Sequence, residues 1–108
     1  MIYPIFIKLI ENRLWKEKNT KLIKTYDTKA IHQYLGKEIR SKRKAIGLTG
    51  EDLAKKLNVS QQQVSRYETA ESKISFEKLL LISDVLDLNI QYLLKVIISD
   101  KFKIISDD

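Results

Sequence analysis

Five times along this chain a capping residue stands just ahead of apolar residues spaced three or four apart. The candidates are Asp27 or Thr28, Thr49, Ser60, Ser75 and Asn89. A short oxygen-bearing side chain at that place accepts from a backbone N–H that the first helical turn leaves unpaired, so each marks a helix start. The first helix carries Ile31, Leu35, Ile39 and Ile46 on one face and is stopped by Gly47, a residue suited to the left-handed turn after a helix. The second has Glu51 and Asp52 in its first turn, where the helix dipole favours negative charge. Its buried stripe is Leu53, Ala54 and Leu57, and Asn58 ends it because Asn tolerates positive φ. Ser60 caps the third, with Gln63 at the capping-box position. Ser75 opens a fourth, Phe76 to Leu86, and Asn89 a short fifth, Ile90 to Leu94. Five helices with short connections predict an all-α bundle of low contact order.

The flanks are less regular. Residues 1–27 read as an N-terminal extension: an amphipathic helix from about Ile5 to Lys16, then a basic linker centred on Asn19 and Thr20. Pro4 suits a first helical turn, and Phe6, Leu9, Ile10 and Leu14 fall near one face. Residues 28–94 form the core domain and 95–108 a short tail. In that tail Lys101 to Ile104 alternates as a half-buried strand does. A hairpin, a strand across a dimer and an extension of the last helix all fit it.

Composition narrows the function. The chain has 108 residues, 44% hydrophobic and 31% charged, a globular rather than disordered balance. Lys and Arg number 20 against 14 acids, a net charge of +6 that favours a polyanionic partner. There is no Cys and a single His, His32. That removes thiolate metal sites and leaves no imidazole cluster for metal or triad chemistry. The three glycines, Gly36, Gly47 and Gly50, form no phosphate-binding loop. No enzyme and no cofactor are expected. The apolar run at Met1 to Ile10 is interrupted by Lys8 and lacks the features of a signal peptide. It is too short to span a bilayer, so a cytoplasmic protein is expected.

The third helix carries the chemistry. Gln61, Gln62 and Gln63 are followed by Arg66, with only Val64 and Tyr67 apolar, one narrow stripe to face a core. Gln pairs two-point with adenine and Arg with guanine on base edges of the DNA major groove. A polar solvated face is the plain alternative, and it loses ground because the string follows a capped helix and a tight turn, the arrangement of a helix-turn-helix.

Here the sequence resembles a known family. Leu35 to Arg40, Leu48 and Thr49, Leu53 to Leu57, Val59 to Glu68 and Ile82 to Ile90 look like the Cro/C1-type (XRE) helix-turn-helix domain of phage repressors and bacterial regulators, over about 60 residues. Within it, the string from Gln61 to Glu68 is similar to small regulators encoded beside fimbrial operons in enteric bacteria. The resemblance implies a five-helix Cro/C1 repressor-like bundle that binds double-stranded DNA and regulates transcription. It implies base reading by Gln61, Gln62 and Arg66, with Gln63 and Ser65 as secondary candidates. Ser60, Thr49 and Lys42 match positions near the DNA backbone, while Arg43 and Glu68 match a buried structural ion pair. Glu68 also needs a partner on physical grounds, because a carboxylate at a helix C-terminus opposes the dipole.

Two departures stand out. Gly50 replaces a Gln that often braces the recognition residues and touches phosphate, and the loop Thr69 to Lys73 includes Glu71, which repels phosphate. Of the basic residues Lys37, Arg40, Lys42, Arg43 and Lys44, helix geometry lets only some meet DNA, Lys42 first and Lys44 after it. Leu80, Leu81 and Val85 widen the apolar stripe of the fourth helix and suggest a homodimer interface. Two rival functions use the same fold: an antitoxin that wraps a partner protein through residues 1–15 or 96–105, and a module used only for protein contact.

Overall fold

A computed structural model describes residues 22–107. The elements in chain order are β1 (Leu22–Tyr26), α1 (Thr28–Ala45), α2 (Gly50–Leu57), α3 (Gln61–Glu68), α4 (Phe76–Leu86) and α5 (Ile90–Ile98). A 3-10 turn (Asp100–Phe102) and β2 (Lys103–Asp107) follow. The helical unit, Tyr26–Lys103, is one compact body. The outer parts of β1 and β2 belong to a second unit, and the two strands pair in a two-stranded sheet. The helix expected at Ile5 to Lys16 lies outside the described residues.

All five helices begin at a capping side chain. Asp27 accepts from the Ala30 N–H at 3.1 Å, Ser60 from Gln63 at 3.0 Å, Ser75 from Lys78 at 3.1 Å and Asn89 from Tyr92 at 3.0 Å. The reciprocal capping box sits at α2, not at α3. Thr49 Oγ1 accepts from Asp52 N at 3.0 Å while Asp52 Oδ2 accepts from Thr49 N at 2.9 Å. Gln63 makes no such return bond to Ser60. An ionised carboxylate is the stronger acceptor for that orphan N–H. The bond from the Thr49 backbone N–H, and after it the Thr49 hydroxyl, hold the Asp52 carboxyl below its ordinary value.

The helix ends close with equal economy. After α1, Gly47 takes φ +78°, its N–H bonds Lys44 O at 3.1 Å, and the Leu48 N–H reaches back to Arg43 O at 3.0 Å. This paired closure satisfies carbonyls that the helix would otherwise leave open. Asn58 and Asp87 adopt left-handed conformations (φ 55° each) to end α2 and α4.

The core is built from Leu35 and Ile39 of α1, Leu53, Ala54 and Leu57 of α2, Val64 and Tyr67 of α3, Leu79, Ile82 and Leu86 of α4, Leu93 of α5 and Ile74 of a loop. Ile46, expected on the buried face of α1, is instead 46% exposed as that helix's terminal cap. Helix α5 runs four residues past Leu94, with Ile97 packed on the core. Phe102 is buried, its ring tilted 49° to that of Tyr34 with centroids 5.5 Å apart, and its carbonyl accepts from Asp27 N at 2.8 Å. Residues 22–26, assigned to the basic linker in the sequence reading, form β1. Its Ile23, Thr25 and Tyr26 are strand-favouring types whose pairing partner lies at the far end of the chain.

Candidate nucleic-acid interface

Helix α3 is held on three sides before any of its exposed residues is considered. Helix α2 reaches it through the three-residue turn Asn58 to Ser60, in which the Val59 N–H bonds Ala54 O at 3.0 Å. Val64 and Tyr67 plug its inner face into the core. Its far end is fixed by Glu68. Arg43 Nε donates to Glu68 Oε2 at 2.7 Å and Arg43 Nη2 to Glu68 Oε1 at 3.0 Å, a two-point pair that leaves the side chains only 11% and 6% exposed. Arg43 Nη1 also donates to Leu48 O at 2.9 Å, tying in the start of α2. The carboxylate bond holds the guanidinium pKa above its ordinary value.

Beyond Glu68 the chain folds back on the helix end. The Arg66 carbonyl accepts from the Glu71 and Ser72 N–H groups at 2.9 and 3.2 Å. The Thr69 hydroxyl donates to Ser65 O at 2.9 Å. With its ends and inner side committed, α3 leaves Gln61, Gln62, Ser65 and Arg66 exposed. These positions, at i, i+1, i+4 and i+5, share one helical face. Gln63 is half-buried to the side of it.

The helix starts around this face carry the remaining candidates. Thr49 and Ser60 are exposed, and each hydroxyl oxygen is occupied as a cap acceptor. A hydroxyl that accepts still has its own proton to donate. Lys42 is half-buried on the last turn of α1. Gly50, at the first turn of α2, stands beside Gln61. A Cβ on Gly50 would lie 3.8 Å from Gln61 Cγ, ordinary contact. Gln61 thus has open space where a longer side chain at position 50 would lean on it. Away from this face, Leu80 and Leu81 are 41% and 40% exposed on α4, whereas Val85 is half-buried against the core.

What sequence reasoning missed is Gly36. A Cβ there would come within 2.5 Å of Glu68 O and 2.6 Å of Tyr67 O. A glycine in the middle of a helix with good formers on both sides is the signal that could have found it. Among the described residues no group of three or more His, Asp or Glu could hold a metal ion, and no helix is long and apolar enough to cross a membrane.

A family profile described as Helix-turn-helix matches residues 39–93, half of the chain, and spans α2, the turn and α3. The chain belongs to the helix-turn-helix family. Within it the Cro/C1-type (XRE) features are those of the five helices above. This helix-turn-helix chain is 44% identical over 62 residues to an uncharacterised HTH-type transcriptional regulator of Rickettsia conorii, covering 57% of this chain and 50% of that protein. It therefore spans about half the length of that relative. Among solved structures it is similar to the clp gene regulator ClgR of Corynebacterium glutamicum, with 28% identity, a TM-score of 0.56, and coverage of 60% and 69% of the two chains. It is also similar to SinR, a master regulator for biofilm formation solved in complex with DNA, with 31% identity, a TM-score of 0.50, and coverage of 56% and 97%.

Proposed function

We propose that this chain is a sequence-specific double-stranded DNA-binding transcriptional regulator without catalytic activity. The observation that carries the reading is the exposed face of α3. Gln61, Gln62 and Arg66 stand together on a helix fixed by the Ser60 cap at its start and the Arg43–Glu68 pair at its end. Such a helix fits the major groove, with amide and guanidinium groups directed at base edges. The likeness to SinR, solved with DNA, supports it.

The roles divide by chemistry. Gln61, Gln62 and Arg66 read bases. Lys42, Thr49 and Ser60 meet the phosphate backbone and set register, with Gln63 and Ser65 contributing at the margin. The exposed Leu80 and Leu81, with Val85 beneath, form the contact of a homodimer. Two-fold symmetry then places half-sites about one helical turn apart, ~34 Å.

Two variants test the division of labour, by titration against a site selected from random DNA and against unrelated duplex. Gln62→Ala costs about 1–3 kcal/mol on the preferred site and little on unrelated DNA. Lys42→Ala weakens both duplexes alike and flattens the salt dependence. Equal losses on all DNA from both variants would remove the assignment.

A further inference from the structure

Resting on the DNA-binding reading above, we infer that Arg40 is an additional DNA contact, an anchor for one backbone phosphodiester at the mouth of a recess between α1, α2 and α3. The recess measures about 220 Å³ and is lined by Arg40, Arg43, Gly50, Gln61, Val64, Ser65 and Glu68. It opens beside Gln61 and Ser65, two residues of the exposed α3 face. Its charges do not cancel. The Glu68 carboxylate is consumed by Arg43, whose Nε and Nη2 donate to it while Nη1 is taken by Leu48 O. Among the described residues the Arg40 side chain has no ion pair and no hydrogen bond. Arg40 is exposed and so leaves the recess one positive charge in excess.

A guanidinium whose donors have no partner among the described residues, beside an amide and a hydroxyl, suits a singly charged phosphodiester, which it grips at two points. Gly50 keeps the place open. Even a Cβ there would sit within 4 Å of Gln61, and longer side chains would extend over the cavity. Gly50 thus has a positive counterpart to the brace it lacks, since the room beside Gln61 is room for the DNA backbone. An Arg40 anchored on phosphate fixes how α1 approaches the duplex and with it the register of Gln61.

The test uses the full chain, a duplex bearing its selected site, and copies of that duplex in which single phosphates are replaced by neutral methylphosphonates. Arg40→Gln is expected to weaken binding roughly fivefold to tenfold and to lower the salt slope by about one unit, the share of one released phosphate contact. Arg40→Lys restores the slope. With wild-type protein, one methylphosphonate position reproduces the Arg40→Gln loss, and at that position the two losses are not additive. An unchanged salt slope in Arg40→Gln, or strict additivity at every phosphate, overturns the inference while wild-type binding leaves the DNA reading intact. Wild-type protein that shows no salt-dependent binding overturns both. Should Arg40→Gln fail to fold, Arg40→Ala takes its place in the same methylphosphonate cycle, and additivity at every phosphate there overturns the inference in the same way.

Discussion

Gly36 and Glu68 meet closer than any other residue type would allow. The position a Cβ would take on Gly36 is 2.5 Å from the Glu68 carbonyl oxygen and 2.9 Å from its carbonyl carbon. The middle of α1 therefore lies directly against the last backbone groups of α3. Neither neighbour is a flexible side-chain end that could swing aside. Ala is the better helix former by about 1 kcal/mol, yet here the contact with backbone decides the sign. Gly36→Ala is expected to destabilise by about 1–3 kcal/mol, the usual cost of overpacking. Urea unfolding should show a lowered midpoint at unchanged m-value. A midpoint at or above wild type would show that α1 and α3 do not pack this closely.

The Arg43–Glu68 pair acts at the same helix end through charge. Both side chains are nearly buried, so removing one leaves the other without compensation. Glu68→Leu or Arg43→Met alone should cost about 3–5 kcal/mol. The double variant Arg43→Met, Glu68→Leu should recover much of that, because two apolar groups leave no stranded charge. Chemical denaturation of the three variants checks this as a double-mutant cycle. Losses that simply add would show that the two groups are not coupled.

The parts of the fold legible in the sequence are the ones made by residues a few positions apart. The five caps act over three residues, and the stripes of α2 and α4 repeat within one helix, so their signals are local. The close approach at Gly36 was not legible, because it depends on backbone that arrives 32 residues later, from 36 to 68. Strand β1 was hidden for the same reason, since its partner is β2. The length of α5 was obscured by Val96, Ile97 and Ile98, β-branched residues whose weak helical preference is overridden where Ile97 packs on the core. On the candidate interface, the identity of Gly50 could be read directly, but the recess it opens beside Arg40 and Gln61 emerges only once three helices are placed.

Ala70 carries strain that a substitution should release. It adopts φ 63°, a left-handed conformation, in the turn that follows α3. A residue with a Cβ pays about 1–2 kcal/mol there, and Gly pays no such steric cost. Gly loses more backbone freedom on folding, which returns roughly 0.5–1 kcal/mol. The net expectation for Ala70→Gly is a gain of about 1 kcal/mol. Thermal unfolding should show a rise of several degrees for a domain of this size. A fall in the transition temperature would mean that the Ala70 methyl group contributes packing that outweighs the strain.

His32 gives stability a dependence on pH. Its Nδ1 accepts from the Ile74 N–H at 3.3 Å, joining α1 to the residue just before the α4 cap. Only a neutral imidazole can accept, so protonation at Nδ1 breaks the bond. Burial first, and then the Lys73 charge, lower the His32 pKa from its ordinary value of 6.5. Lys29 and Glu71 line a surface recess together with His32 and Lys73, separate from the one beside Arg40, so the local field includes one further cation and one anion. Because the folded pKa is the lower one, the unfolded chain binds more protons between the two values, and stability there rises with pH. The contribution is complete above about pH 6.5, is lost as pH falls through the folded pKa, and changes no further below it. His32→Asn places a carbonyl oxygen where Nδ1 stood and does not titrate. That variant should keep the Ile74 bond and lose the pH dependence that wild type shows as pH falls below about 6.5. A wild-type unfolding free energy that is flat over this range, or an Asn variant with the same slope as wild type, would show that the His32–Ile74 bond is not what titrates.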